Sequence, residues 1–259
     1  MDNLMQVEYL EREGEPKLAY VYSKASDEGT ALPTVMFCGG FKSDMMGTKA
    51  GSFEEKCKAR GQAYLRFDYS GHGMSDGEFK DGTIGQWFAD TLAVFDAVVN
   101  GPVIIVGSSM GGWIGLLLAR ARFEFVKGFI GIATAPDFTE RLYHEEFNDE
   151  QRAAIEEQGF VETPSDYGEP YIFTKALIED GRNHRVLDGQ QKHDYPMTLF
   201  HGRADTVVPE HVPQDIEKIY RGSDNAPFKI VYIDDGDHSL SRPEDLAFIN
   251  AAISGMSGV

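Results

Sequence analysis

Cysteine is nearly absent: the chain has two in 259 residues, Cys38 and Cys57. Two thiols make no disulfide framework. Their settings, an apolar strand-like segment and a helix-like one, predict free packing thiols in a reducing compartment. Basic residues are also scarce, with 24 Lys and Arg against 42 Asp and Glu, for a formal net charge of -18. A chain this acidic repels phosphate, and no local basic patch offsets the charge. Nucleic-acid partners and stable association with anionic membranes are therefore not expected. No apolar run approaches the roughly 20 residues that cross a bilayer. Residues 1–16 hold Asp2, Glu8, Glu11, Glu13 and Glu15 and show neither the basic and apolar regions of a signal peptide nor the Arg-rich amphipathic pattern of a transit peptide. These absences together predict a cytoplasmic protein. Disorder is excluded as well, because 42% hydrophobic and 25% charged residues is an ordinary globular balance.

What is present alternates between strand and helix. Two stretches, 5–10 and 18–22, have the period of an opening antiparallel pair. An apolar run over 33–38 ends in Gly39-Gly40, a helix is predicted over 48–60, and a strand over 63–68. Ile84, Trp87, Phe88, Leu92, Phe95, Val98 and Val99 recur at helical spacing until Asn100-Gly101-Pro102 ends the helix. The β-branched, continuously apolar segment 103–107 has the character of a central parallel strand buried on both faces. A helix over 110–122 and a strand over 126–133 follow. After an interruption come a strand over 197–200, a helix over 211–220, a strand over 228–233 and a helix over 243–253. This alternation predicts an α/β fold: a mostly parallel sheet with helices on both faces. Trp87 and Trp113 lie on helix faces and are expected to be core residues.

The interruption, 136–195, differs in composition. Asp137 to Glu169 holds eleven acids and two bases, Arg141 and Arg152, yet the interruption also carries Phe138, Leu142, Tyr143, Phe147, Ile155, Phe160, Tyr167, Tyr171, Ile172, Phe173 and Leu177. A disordered linker lacks so many apolar groups. The segment is expected to be a helical insertion on one end of the sheet, dividing the chain into a core of 1–135 and 196–259 and a lid of 136–195.

The chemistry gathers at strand ends. Gly107-Ser108-Ser109-Met110-Gly111 is a G-x-S-x-G between a buried strand and a helix, where a strained turn lifts a serine hydroxyl above the sheet edge. The glycines leave room for close backbone, and the N-terminus of the following helix directs the Met110 N–H toward a developing oxyanion. A serine nucleophile needs a base. Two later strand ends supply Asp205 and His238, in the chain order Ser…Asp…His, with His238 as base and Asp205 as its orienting carboxylate. Asp137 is the rival carboxylate because it too follows a strand; Asp234, Asp235 and Asp237 stand too close to His238 in sequence. After the first long apolar strand, Gly39-Gly40-Phe41 offers the Phe41 N–H as the second oxyanion donor, the alternative being a plain flexible turn. Gly71-His72-Gly73-Met74-Ser75 does not complete G-x-G-x-x-G and is taken as a structural turn, so dinucleotide binding is rejected. The other histidines show no metal-ligand spacing, and no metal is expected.

These pieces resemble the α/β-hydrolase superfamily over nearly the whole chain. The resemblance is strongest to the group that includes the mitochondrial palmitoyl-protein thioesterase that is also an acyl-glucuronide esterase. It rests on Gly40-Phe41-Lys42-Ser43-Asp44-Met45-Met46-Gly47-Thr48-Lys49-Ala50, on Arg66-Phe67-Asp68-Tyr69-Ser70-Gly71-His72-Gly73-Met74-Ser75-Asp76-Gly77, and on Val106-Gly107-Ser108-Ser109-Met110-Gly111-Gly112-Trp113. The resemblance implies Ser109, Asp205 and His238 as a triad, no cofactor, and a lid at 136–195. It also implies a substrate that is a small acyl ester or thioester, or an acylated protein. Dehalogenases and epoxide hydrolases of this fold use an Asp nucleophile, so Ser109 argues against both. The competing expectations are a general small-molecule carboxylesterase and, from another class, a non-catalytic ligand receptor. The lid aromatics Phe138, Tyr143, Phe147, Phe160 and Phe173 are expected to roof an apolar acyl pocket.

Overall fold

In the computed structural model, which describes residues 6–164, 170–191, 193–220 and 226–259, the most apolar segments occupy the middle of one eight-stranded sheet. The chain opens with β1 (Glu8–Leu10), β2 (Leu18–Ser23), β3 (Thr34–Cys38), α1 (Thr48–Ala59), β4 (Tyr64–Phe67), α2 (Ile84–Val98), β5 (Val103–Ser108), α3 (Met110–Ala121) and β6 (Val126–Ile132). An insertion follows: α4 (Phe138–Arg141), α5 (Asp149–Gln158), β7 (Phe160–Thr163), β8 (Tyr171–Thr174) and α6 (Lys175–Gly181). The chain then returns through β9 (Met197–Gly202), α7 (Val212–Tyr220), β10 (Phe228–Ile233) and α8 (Pro243–Ser257).

The strand order is β1-β2-β4-β3-β5-β6-β9-β10. The first two pairings are antiparallel and the rest parallel. β5 is central, and all six of its residues are buried, because helices cover both faces. One face packs on α2 and α3 through Trp87, Trp113 and Phe129; the other packs on α1 and α8 through Phe53, Ile249 and Ile253. Trp87 and Trp113 are fully buried, as expected of core residues, and Cys38 and Cys57 are buried free thiols. Met5 and Tyr167, both within segments named from the sequence, lie outside the described residues.

The insertion is less helical than its composition suggests. β7 and β8 form an antiparallel pair that places Val161 opposite Phe173, both buried. Phe160-Val161-Glu162-Thr163 and Tyr171-Ile172-Phe173-Thr174 are aromatic and β-branched, with the period of strands. Acidic composition alone does not carry that period. One consequence is that Phe160, one residue from inward-facing Val161, is turned outward and 41% exposed.

Candidate active site

Three strand ends at the carboxyl edge of the sheet meet at one serine. Ser109 links β5 to α3 with φ 54 and ψ -120, a conformation that L-residues rarely hold. The turn survives because its neighbours are small: a Cβ on Gly107 would collide with the backbone of Gly111 and Gly112, and one on Gly111 with the carbonyls of Cys38 and Gly39. The Ser109 N–H donates to the Ile132 carbonyl at 2.8 Å, and its own carbonyl accepts from Gly112 and Ala135, so the strained residue is tied to β6 and to α3.

Ser109 Oγ lies 3.1 Å from His238 Nε2, and His238 Nδ1 lies 2.8 Å from Asp205 Oδ2. Asp205 follows β9 and its side chain is wholly buried, while that of His238 keeps 28% exposure. Asp205 Oδ1 accepts the N–H groups of Val207 at 2.7 Å and Val208 at 2.9 Å. Burial works to raise this carboxyl, but the His238 hydrogen bond and charge, with the two backbone donors, outweigh it and hold the pKa below the ordinary value. An ionised Asp205 cannot donate, so the His238 proton resides on Nδ1 and Nε2 is bare toward the serine hydroxyl. The loop bearing His238 is fixed from α1, where Lys49 Nζ donates to the Ser239 carbonyl at 2.6 Å and to Ser241 Oγ at 3.3 Å. Burial lowers Lys49 to about 8, partly countered by Asp237.

Asp137, the rival carboxylate, takes no part in this array. It accepts the N–H of Val186 at 2.9 Å and of Leu187 at 3.1 Å, and burial raises its pKa despite those donors. It joins the two ends of the insertion.

The turn after β3 lies beside the serine: a Cβ placed on Gly40 would come 3.5 Å from Ser109 Cβ. Met110 opens α3, whose first N–H groups have no intrahelical acceptor. Among the described residues no turn or loop acceptor takes the N–H of either Phe41 or Met110. The Phe41 ring is a hub. Its centroid is 5.2 Å from the stacked Phe173 ring, 5.8 Å from Phe138 and from Tyr171, 4.8 Å from Phe79 and 5.9 Å from Trp87. Phe147 joins through Phe173 at 5.8 Å. Of the five insertion aromatics singled out in the sequence, Phe138, Phe147 and Phe173 thus gather around Phe41 in the turn after β3. Tyr143 instead donates to Glu156 at 3.0 Å under the Arg182 guanidinium, and Phe160 faces solvent.

The turn at 71–75 is organised by Asp68, whose carboxylate accepts Met45 N–H at 2.6 Å and Met74 N–H at 2.8 Å. It is a structural turn, as its sequence suggests. Sequence reasoning does not reveal that His72, buried within this turn, accepts the Lys42 N–H at 3.3 Å. The available signal is a histidine between two glycines directly after a strand. Among the described residues no cluster of His, Cys, Asp and Glu could hold a metal ion.

The Alpha/beta hydrolase family profile matches residues 39–247. The human mitochondrial palmitoyl-protein thioesterase ABHD10 is 34% identical over 243 residues, spanning 93% of this chain and 76% of the relative. Among solved structures, a hydrolase from Agrobacterium vitis S4 superposes with a TM-score of 0.90 at 37% identity, covering 97% of this chain and 98% of that one. Alpha/beta hydrolase domain-containing protein 10 from mouse follows at 0.87 and 34%, covering 97% and 98%. The curated relatives all carry the word mitochondrial in their names, which overturns the cytoplasmic expectation. The reason is physical: the composition and net charge of a folded domain do not record the compartment in which it works. On the profile match and these identities, the chain belongs to the α/β-hydrolase family.

Proposed function

We propose that the protein is a serine hydrolase that cleaves acyl thioesters or carboxylic esters through an acyl-enzyme, with Ser109 as nucleophile, His238 as general base and Asp205 as its orienting carboxylate. The observation that carries this reading is the continuous hydrogen-bonded line from Ser109 Oγ through His238 to buried Asp205, built on a strained serine backbone. Ser109 Oγ adds to the acyl carbonyl carbon as its proton passes to His238 Nε2, and the carbonyl oxygen becomes an oxyanion facing the Phe41 and Met110 N–H groups. His238 then delivers that proton to the departing thiolate or alkoxide. Water attacks the acyl-enzyme with His238 again as base, the acid leaves, and Ser109 regains its proton. No cofactor enters any step.

Similarity to palmitoyl-protein thioesterases favours an acyl thioester, carried on a small molecule or on a protein. In this reading residues 136–195 form the lid over the core of 1–135 and 196–259, with Phe138, Phe147 and Phe173 presenting an apolar surface beside the oxyanion turn. Ser109→Ala is expected to abolish fluorophosphonate labelling and to lower turnover of p-nitrophenyl acetate by roughly 10⁴ or more. Normal labelling and turnover in that variant would refute the nucleophile. Parallel acyl-length series with thioester and oxyester leaving groups then test the substrate class. Faster turnover of every oxyester would replace the thioesterase with a carboxylesterase.

A further inference from the structure

We infer that His72 is a positioning residue of the oxyanion hole, holding the Phe41–Lys42 peptide so that the Phe41 N–H stays available beside Ser109. This rests on the serine-hydrolase reading above. His72 is 3% exposed and lies outside the line of Ser109, His238 and Asp205. Its Nε2 accepts the Lys42 N–H at 3.3 Å, and its Nδ1 is 3.2 Å from the Ser70 carbonyl. A backbone N–H only donates and a carbonyl only accepts, so both contacts are met by a single species, the neutral imidazole with its proton on Nδ1.

The surroundings hold that species in place. The His72 ring makes edge contacts with Tyr69 at 5.4 Å and with Phe79 and Trp87 at 5.1 Å each. Burial in this cage lowers its pKa to about 4, against the weaker opposite pull of the Ser70 carbonyl and Asp90. A protonated ring would turn an Nε2–H against the Lys42 N–H.

The peptide it grips needs support. Lys42 has φ 56, a left-handed conformation in a residue with a Cβ. Such a conformation persists only where neighbours fix it. Other bonds of the turn tie Ser43 to Gly40 and Met45 to Asp68, while the His72 bond reaches the Phe41–Lys42 peptide itself. The Phe41 N–H belongs to the preceding peptide, joined to this one through the Phe41 Cα, so fixing one plane limits the swing of the other.

Three substitutions in the full chain separate the two contacts of the ring. His72→Phe fits the aromatic cage and removes both contacts. His72→Gln restores an acceptor where Nε2 stood, and His72→Asn restores only the group facing Ser70. Each is measured for kcat and KM on p-nitrophenyl butyrate, and for inhibition by a trifluoromethyl ketone, whose adduct oxygen occupies the oxyanion hole. We expect kcat to fall by roughly 10- to 100-fold in the Phe and Asn variants, the share of a donor's effect that misplacement removes. KM should change little, ketone affinity should weaken in proportion to kcat, and Gln should recover most of the loss. Wild-type kcat in a folded His72→Phe protein would overturn the inference, as would recovery by Asn and not by Gln. Ser109→Ala, run alongside, keeps the failures distinct. If it is inert while folded His72→Phe is fully active, only the His72 role falls; if it is active, the nucleophile assignment falls and takes the His72 role with it.

Discussion

Asp205 and Asp137 follow neighbouring strands of the same parallel block, β9 and β6, and both are buried carboxylates that accept two backbone N–H groups. Where those donors originate separates them. Asp205 takes both on Oδ1 from its own turn, at Val207 and Val208, which leaves Oδ2 free for His238. Asp137 spends one oxygen on Val186 and the other on Leu187, at the far end of the insertion. The electrostatics diverge accordingly. For Asp205 the partners, His238 first among them, overcome burial and lower the pKa; for Asp137 burial prevails and raises it. A carboxylate satisfied locally keeps an oxygen to orient a histidine, and one satisfied across the chain becomes a fastening.

The largest expected effect comes from exchanging the first carboxylate. Asp205→Asn should lower kcat by up to about 10⁴-fold, because an amide no longer holds the Nδ1–H tautomer of His238. Stopped-flow or steady-state rates on an activated ester measure it, and a loss below tenfold would erase the distinction drawn above. Next come the insertion aromatics. Phe173→Ala and Phe147→Ala should change relative kcat/KM between short and long acyl chains by roughly tenfold for each 1–2 kcal/mol of acyl-chain binding energy removed. Outward-facing Phe160→Ala should leave the acyl-length profile flat. A uniform drop in melting temperature with unchanged selectivity across all three would reduce these rings to packing.

Asp137→Asn should keep kcat within about threefold while costing roughly 1–3 kcal/mol of stability, as one buried backbone donor loses its charged acceptor. For a protein of this size that is a fall of several degrees in Tm, read by scanning calorimetry. The smallest effect is in the pH dependence of stability, and its sign differs between the two. With its folded pKa lowered, Asp205 contributes stability that is present above its unfolded value and is lost as pH falls through the folded value. With its folded pKa raised, Asp137 contributes stability that is full below its unfolded value and is lost as pH rises through the folded value. Subtracting each Asn variant's Tm-versus-pH curve from that of the wild type should give slopes of opposite sign, rising with pH below the ordinary aspartate value of about 3.9 for Asp205 and falling with pH above it for Asp137. Equal slopes would contradict the contrast.

Much of this is legible in the sequence alone. The apolar run of β5 followed by Gly107-Ser108-Ser109-Met110-Gly111 marks the serine turn, since sterics leave few sequences able to make it. His238 and Asp205 stand out through their position after strands, which the alternation of strand and helix makes countable. Chain order does not separate Asp205 from Asp137, since both follow strands and both lie between Ser109 and His238; which oxygen stays free depends on donors such as Val186 that are distant in sequence. Two features escape for related reasons. The β7–β8 hairpin is hidden by the acidity of its surroundings. The cage around His72 is assembled from Tyr69 of its own turn together with Phe79 and Trp87, whose convergence no local pattern records.

The fastening at Asp137 also bears on how the chain assembles. β6 and β9 are hydrogen-bonded neighbours, yet the whole insertion lies between them along the chain. Pairing strands so far apart waits on loop closure, whose entropic cost grows only logarithmically, by about 0.6 kcal/mol for each doubling of length. Once Asp137 holds Val186 and Leu187, the tether that delivers β9 to β6 is short, whatever hangs beyond the clasp. The length of chain beyond the clasp therefore adds little to the closure cost of the β6–β9 pairing.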